Sequence, residues 1–90
     1  MSKAMVDPAE LRRFARDLKR FDDDLQRQVA VLQSRLRSLG ETWRDQEQRE
    51  FSEQFELTVR ALKKFTEASS EHVPFLLRKA DRIDEYLKQR

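Results

Sequence analysis

From Leu11 onward the apolar residues of the chain return every three or four positions. The first series is Leu11, Phe14, Leu18, Phe21, Leu25, Val29, Leu32, Leu36 and Leu39, with mostly polar residues between. This is a heptad seam with one extra step of four between Leu25 and Val29. At ~100° per residue the nine side chains fall in a stripe about 80° wide. The opposite side is charged, with Arg12, Arg13, Arg16, Lys19, Asp23 and Arg27. A stripe that narrow faces one neighbouring helix.

Local signals mark the ends of this helix. Asp7-Pro8-Ala9-Glu10 supplies an N-cap acceptor, a proline at the first helical position and an acid in the first turn. Gly40 follows Leu39, where a left-handed C-cap residue belongs. Helix 1 is therefore expected over about 8–39, roughly 48 Å long at 1.5 Å per residue. The chain's only Gly is Gly40 and its only Trp is Trp43. They predict a turn over 40–42, in which Gly40 ends helix 1, Thr42 caps helix 2 and Asp45 supports that cap. Trp43 is a large ring with a polar N–H and suits the half-buried end of a hairpin.

The second series is Trp43, Phe51, Phe55, Val59, Leu62, Thr66, Ser69, Val73, Leu76, Ala80, Ile83 and Leu87. A parallel row of Leu57, Ala61, Phe65, Ala68 and Phe75 widens the apolar face to about 200°. Helix 1 is too narrow to cover that face, so a partner is expected. The expected dimer interface is Phe51, Phe55, Val59, Leu62 and Phe65. Pro74 lacks an N–H and crowds the preceding turn, so helix 2 is expected over about 43–72 with a kink or break near 70–74. Residues from about 74 to 88 then form a helical arm projecting past the start of helix 1. The arm offers Leu76, Ile83, Tyr86 and Leu87 to a partner.

The fold class is thus all-α. A single domain over 1–90 forms an antiparallel helical hairpin with a Pro-kinked C-terminal arm, and two hairpins pair into a four-helix-bundle dimer. Composition agrees, with 40% charged residues, one Gly and two Pro, which suits long helices and few loops. A lone hairpin of this length buries little surface. Charge adds a hint about pairing. Residues 25–40 carry Arg27, Arg35 and Arg37 and no acid, while 41–56 carry Glu41, Asp45, Glu47, Glu50, Glu53 and Glu56 against Arg44 and Arg49. Antiparallel folding lays these blocks side by side, each exposed pair contributing about 0.2–1 kcal/mol.

Catalytic chemistry has little to work with. The absence of Cys excludes disulfides and Cys-ligated zinc. His72 is the only His. Asp22, Asp23 and Asp24 point in different directions on a helix and cannot converge on one ion. With Lys19, Arg20 and Arg27 a turn away they read as a solvated, salt-bridged face. No Gly-rich phosphate loop exists. No catalytic, cofactor or metal site is assigned, and no small-molecule substrate is expected. The basic patch of Arg12, Arg13, Arg16, Lys19 and Arg20 is interrupted by Asp17 and Asp22 to Asp24, and no aromatic is expected on its exposed side for base stacking, which argues against nucleic acid. No apolar run approaches the roughly 20 residues of a membrane span, so membrane insertion is not expected. The stretch Met1 to Val6 lacks an apolar core of signal-peptide length. The expected location is the cytoplasm, or outside the cell by a route without a cleaved signal.

Two long antiparallel helices around a turn centred on Trp43, in a chain of this length, resemble the WXG100 (ESAT-6-like) family. The family's turn signature is Trp-x-Gly. Trp43 matches it, and Asp45 stands at the Gly position. The family's tail signature is Tyr-x-x-x-Asp/Glu. Tyr86 fits it, and Arg90 stands at the acidic position. The resemblance implies a non-enzymatic, cofactor-free hairpin that pairs as a homodimer, or as a heterodimer with a paralogue. It also implies a type VII secretion substrate or adaptor, with a secretion ATPase or a cargo protein as further partner. Two other classes fit the same residues: a cytosolic helical adaptor or structural subunit with no secretion role and, less well supported, a weak nucleic-acid binder.

Overall fold

A computed structural model describes residues 6–89 of the chain. The start of the N-terminal tail, Met1 to Met5, and the tail-signature position Arg90 lie outside the described residues. Helix α1 runs Pro8–Leu39 and helix α2 runs Gln46–Lys88. They lie antiparallel as one hairpin, with Phe21 against Phe65 and Arg12 against Asp81 and Asp84. Asp7 starts α1: its Oδ1 accepts the Ala9 N–H at 2.9 Å and its backbone carbonyl accepts the Leu11 N–H at 3.1 Å.

Helix α2 begins at Gln46, not at 43, and the turn runs over 40–45, not 40–42. The reason lies in the hydrogen bonds. The N–H groups of Thr42 and Trp43 both donate to the Leu39 carbonyl, at 3.1 and 2.9 Å, so the chain there is still closing α1. Thr42 does not cap α2, and its hydroxyl points back to the same carbonyl at 3.4 Å. Asp45 is the cap, accepting the Gln48 N–H at 2.9 Å. Gly40 has φ −63° and ψ −13°, a right-handed conformation open to any residue, so no left-handed cap ends α1.

Pro74 does not end the second helix, which runs unbroken to Lys88. The loss of one backbone bond is offset by packing beyond the proline. Ala80 is fully buried, Ile83 is only 7% exposed, and Arg12 of α1 pairs with Asp81 and Asp84. The expected separate arm is therefore the last third of α2, and residues 80–84 lie against the first turns of α1.

The molecule measures 68 × 20 × 18 Å, with a radius of gyration of 20.4 Å. A compact chain of this length would have about 12 Å. Almost every residue is consequently near the surface, and no large side chain is fully buried among the described residues. The seam between the helices is made of Ala15, Ala80, Ile83, Asp22, Thr66 and Ser69. Ala15 and Asp22 each follow a phenylalanine. Since one residue is a step of about 100°, turning them inward turns Phe14 and Phe21 out, to 56% and 51% exposure. Leu32 and Leu39 are exposed as well. The stripe that carries the heptad spacing thus straddles the edge of the seam instead of filling it.

Two expectations about charge change. The basic block of α1 does not pair with the acidic block after the turn. Arg27 pairs with Asp24 on its own helix, and the cross-helix ion pairs among the described residues are those of Arg12, at the far end. Exposed pairs gain too little in water to hold long side chains across a groove. The three consecutive aspartates do diverge, but not onto a single solvated face. Asp23 meets Lys19 at 3.1 Å and Asp24 meets Arg27. Asp22 turns into the seam, 4% exposed, with both carboxylate oxygens unpartnered. The Ser69 hydroxyl is likewise buried without a partner. The Phe21–Phe65 contact, one residue before Asp22 and one before Thr66, places Asp22, Thr66 and Ser69 at the same level of the hairpin.

A buried polar group without a partner costs about 1–3 kcal/mol. Asp22→Ala is therefore expected to stabilise the hairpin, raising Tm by roughly 4–8 °C for each kcal/mol gained. Asp23→Ala, on the exposed side, controls for the better helix propensity of Ala; equal melting shifts for the two variants would refute the assignment. Asp45→Ala removes the cap of α2 and is expected to lower stability by about 1 kcal/mol in a denaturant titration.

Candidate functional site

Three features of the hairpin face outward and carry unspent apolar or hydrogen-bonding capacity: the turn, one flank of the seam, and the end of α2.

The turn is organised by Arg44 as much as by its neighbours. The guanidinium reaches back over the C-terminus of α1, its Nε donating to the carbonyls of Gly40 and Glu41 at 3.2 and 3.1 Å and its Nη2 to Glu41 at 2.7 Å. A cation there satisfies open carbonyls and meets the negative end of the helix dipole. Sequence reading missed Arg44, because an arginine in a loop gives no signal until the backbone is placed around it. Trp43 is half-buried and packs on Phe51, with ring centroids 6.0 Å apart. Phe51 in turn stacks on Phe55 at 5.9 Å, with 24° between the planes. The result is an aromatic ladder running from the tip of the hairpin along α2, with Phe51 largely exposed.

The flank on which Phe14 and Phe21 emerge is apolar on both helices. Phe65 meets Phe21 edge-on at 6.2 Å and 87°. Beside them lies a groove of about 530 Å³ lined by Phe14, Leu18, Phe65, Ala68, Ser69, His72, Phe75 and Leu76. Phe14, Phe21, Phe65 and Phe75 are each about half exposed. A second groove of about 350 Å³ has Leu25, Val29, Val59 and Leu62 as its apolar part, with Gln26, Gln33, Lys63 and Thr66 around it. By helical phase Gln26 and Lys63 belong to the opposite flank from Phe21 and Phe65.

The five residues expected to form an interface therefore separate. Phe51 and Phe65 are exposed, and Phe55 is half-buried beneath Phe51. Val59 and Leu62 are half-buried and line the seam groove with Leu25 and Val29, so they hold the two helices together. The stronger surface residues are Phe14, Phe21 and Phe75. Their signal was present in the small residues Ala15, Thr66, Ser69 and Ala80, which mark where two helices approach closely.

The end of α2 is divided in the same way. Ile83 is buried inside the hairpin and Leu76 is half-buried, while Tyr86 and Leu87 are exposed. Arg12 Nη2 lies 2.7 Å from Asp81 Oδ1 and 2.6 Å from Asp84 Oδ2. Hydrogen bonds to Asp81 and then Asp84 hold the guanidinium above its usual pKa. Among the described residues no helix is long and apolar enough to cross a membrane.

This geometry has close counterparts among solved structures. The secreted protein EsxB from Bacillus anthracis str. Sterne, in selenomethionine form, superposes with a TM-score of 0.81 at 24% identity, covering 96% of this chain and 98% of that one. A point mutant of EsxB gives 0.81 at 26% identity, with 96% of each chain covered. The wild-type protein in another crystal form gives 0.79 at 26%, covering 91% of this chain and 94% of that one. No curated protein matches the sequence. The family model WXG100, proteins of 100 residues with WXG, matches residues 3–86. A helical hairpin with Trp43 packed in its turn, matched over nearly its whole length, places this chain in the WXG100 family, with Asp45 as an α2 cap where the signature has Gly.

Proposed function

We propose that this protein is a non-enzymatic interaction module that acts as a dimer and serves a type VII secretion system as substrate or adaptor. The observation that carries the reading is the aromatic flank. Phe14, Phe21, Phe65 and Phe75 leave four rings half in water along one side of a rod that has no other layer to bury them. Contiguous apolar surface of this kind marks a protein-binding face. A second copy is the simplest occupant, since laying two such flanks together makes a four-helix bundle with two-fold symmetry. A paralogous hairpin with the same flank would serve equally. The turn with Trp43 and Phe51, and the exposed Tyr86 and Leu87, stay outside such a bundle and are the surfaces for a secretion ATPase or cargo protein. The structural counterpart EsxB is a secreted protein, which supports export. A second reading follows from Arg90, which stands where the family's tail signature has an acid. On that reading the protein is an adaptor that binds its partner without being exported itself.

Phe75→Glu is expected to convert the dimer into a helical monomer in sedimentation at micromolar concentration, because it places a charge on the flank and leaves the seam intact. Leu62→Glu should lose helicity as well, since Leu62 lines the seam. A wild-type chain that sediments as a monomer would remove the dimer. For export, wild type should appear in the culture medium and Trp43→Ala should stay in the cell while keeping its circular dichroism. Retention of both proteins in the cell would favour the adaptor.

A further inference from the structure

The last third of α2 is joined to the rest of the hairpin by a proline-weakened stretch of helix, by the contacts of Leu76, Ala80 and Ile83, and by one ionic bridge. We propose that residues 75–89 form a releasable arm, hinged over 66–74 and latched to α1 by Arg12. This concerns the mechanics of the single chain and goes beyond the partner-binding reading without depending on it.

The hinge is marked three times. Pro74 has no N–H, so the Ser70 carbonyl lacks its helical donor. The Ser70 hydroxyl donates to the Glu67 carbonyl at 2.9 Å, and the Thr66 hydroxyl to the Lys63 carbonyl, also at 2.9 Å. Such back-bonding competes with the helical ladder and loosens it locally. On the turn side of the hinge, α2 is held by Phe65 on Phe21 and by Val59 and Leu62 beside Leu25 and Val29. Beyond it, the apolar anchors are the buried Ala80 and Ile83 and the half-buried Leu76.

Arg12 closes the far end. One nitrogen bridges Asp81 and Asp84, a turn apart on α2, and these are the cross-helix ion pairs among the described residues. Asp81 is well exposed, so salt and competing charges reach the bridge. Latched, the arm presents Tyr86 and Leu87 and keeps Ile83 covered. Released, it presents Ala80, Ile83 and Leu87 as one continuous apolar edge.

The chain has no cysteine, so Ile83→Cys introduces a single thiol that a maleimide reaches only when the arm lifts. Val59→Cys, half-buried in the seam on the turn side of the hinge, reports opening of the whole hairpin. In the full-length chain, Arg12→Gln and high salt should each speed labelling at position 83 about threefold, with position 59 unchanged. Lys19→Gln, which removes a cation paired within α1, should change neither rate. If both thiols speed up together, the hairpin opens as one unit and no arm exists. If the rate at position 83 ignores Arg12, the latch is wrong. Helicity measured by circular dichroism on every variant separates these outcomes from misfolding.

Discussion

Two helices touch along one line, and in this protein the buried part of that line is occupied mostly by small and polar side chains. Ala15, Ala80, Thr66 and Ser69 let the backbones approach closely, and only Ile83 adds a larger apolar group to the buried set. Everything else follows from this constraint. A residue that takes the line excludes its immediate neighbours, because each step around the helix is about 100°. Ala15 and Asp22 take it, so Phe14 and Phe21 cannot. The hairpin keeps its helices close and leaves four phenylalanine rings half exposed on a flank. The same narrowness explains why Asp22 is unusual. In a rod this thin very few positions are buried, and one of them holds a carboxylate with no hydrogen-bond partner.

The fold class was legible because it rests on periodicity, and periodicity is a property of the whole chain. Apolar residues at three and four spacing over two long runs, one Gly and one Trp between them, and Asp7-Pro8 at the start leave little room for another architecture. The phase of the seam was harder to read. Phe14 and Ala15 are adjacent, and a hydrophobicity pattern ranks the ring above the methyl group. Close helix approach ranks them the other way. Pro74 misled for a related reason. Its local penalty is real, but Ala80, Ile83 and Arg12 act from beyond it, and none of them announces a tertiary contact in sequence. The pairing of charge blocks failed because complementary totals do not place any two side chains within reach.

The turn shows how a signature can depart in one residue while the hairpin is kept. Asp45 supplies a cap for α2, and Arg44 gathers the last carbonyls of α1. Gly40 sits in a conformation any residue can adopt. The work of reversing the chain is done by the two side chains that follow Trp43 instead of by a flexible backbone at the third position. Trp43 itself packs down one helix, onto Phe51 and through it Phe55, so the ring's placement depends on α2 having begun where Asp45 starts it.

The seam also separates what can vary from what cannot. Ala15 and Ala80 have no exposed surface, and a larger side chain at either would push the helices apart. Phe14 and Phe75 meet no such limit, because they look outward. Exchanging them alters which surfaces fit the flank and leaves the hairpin able to form. A hairpin built this way can change the chemistry of its flank while keeping its fold.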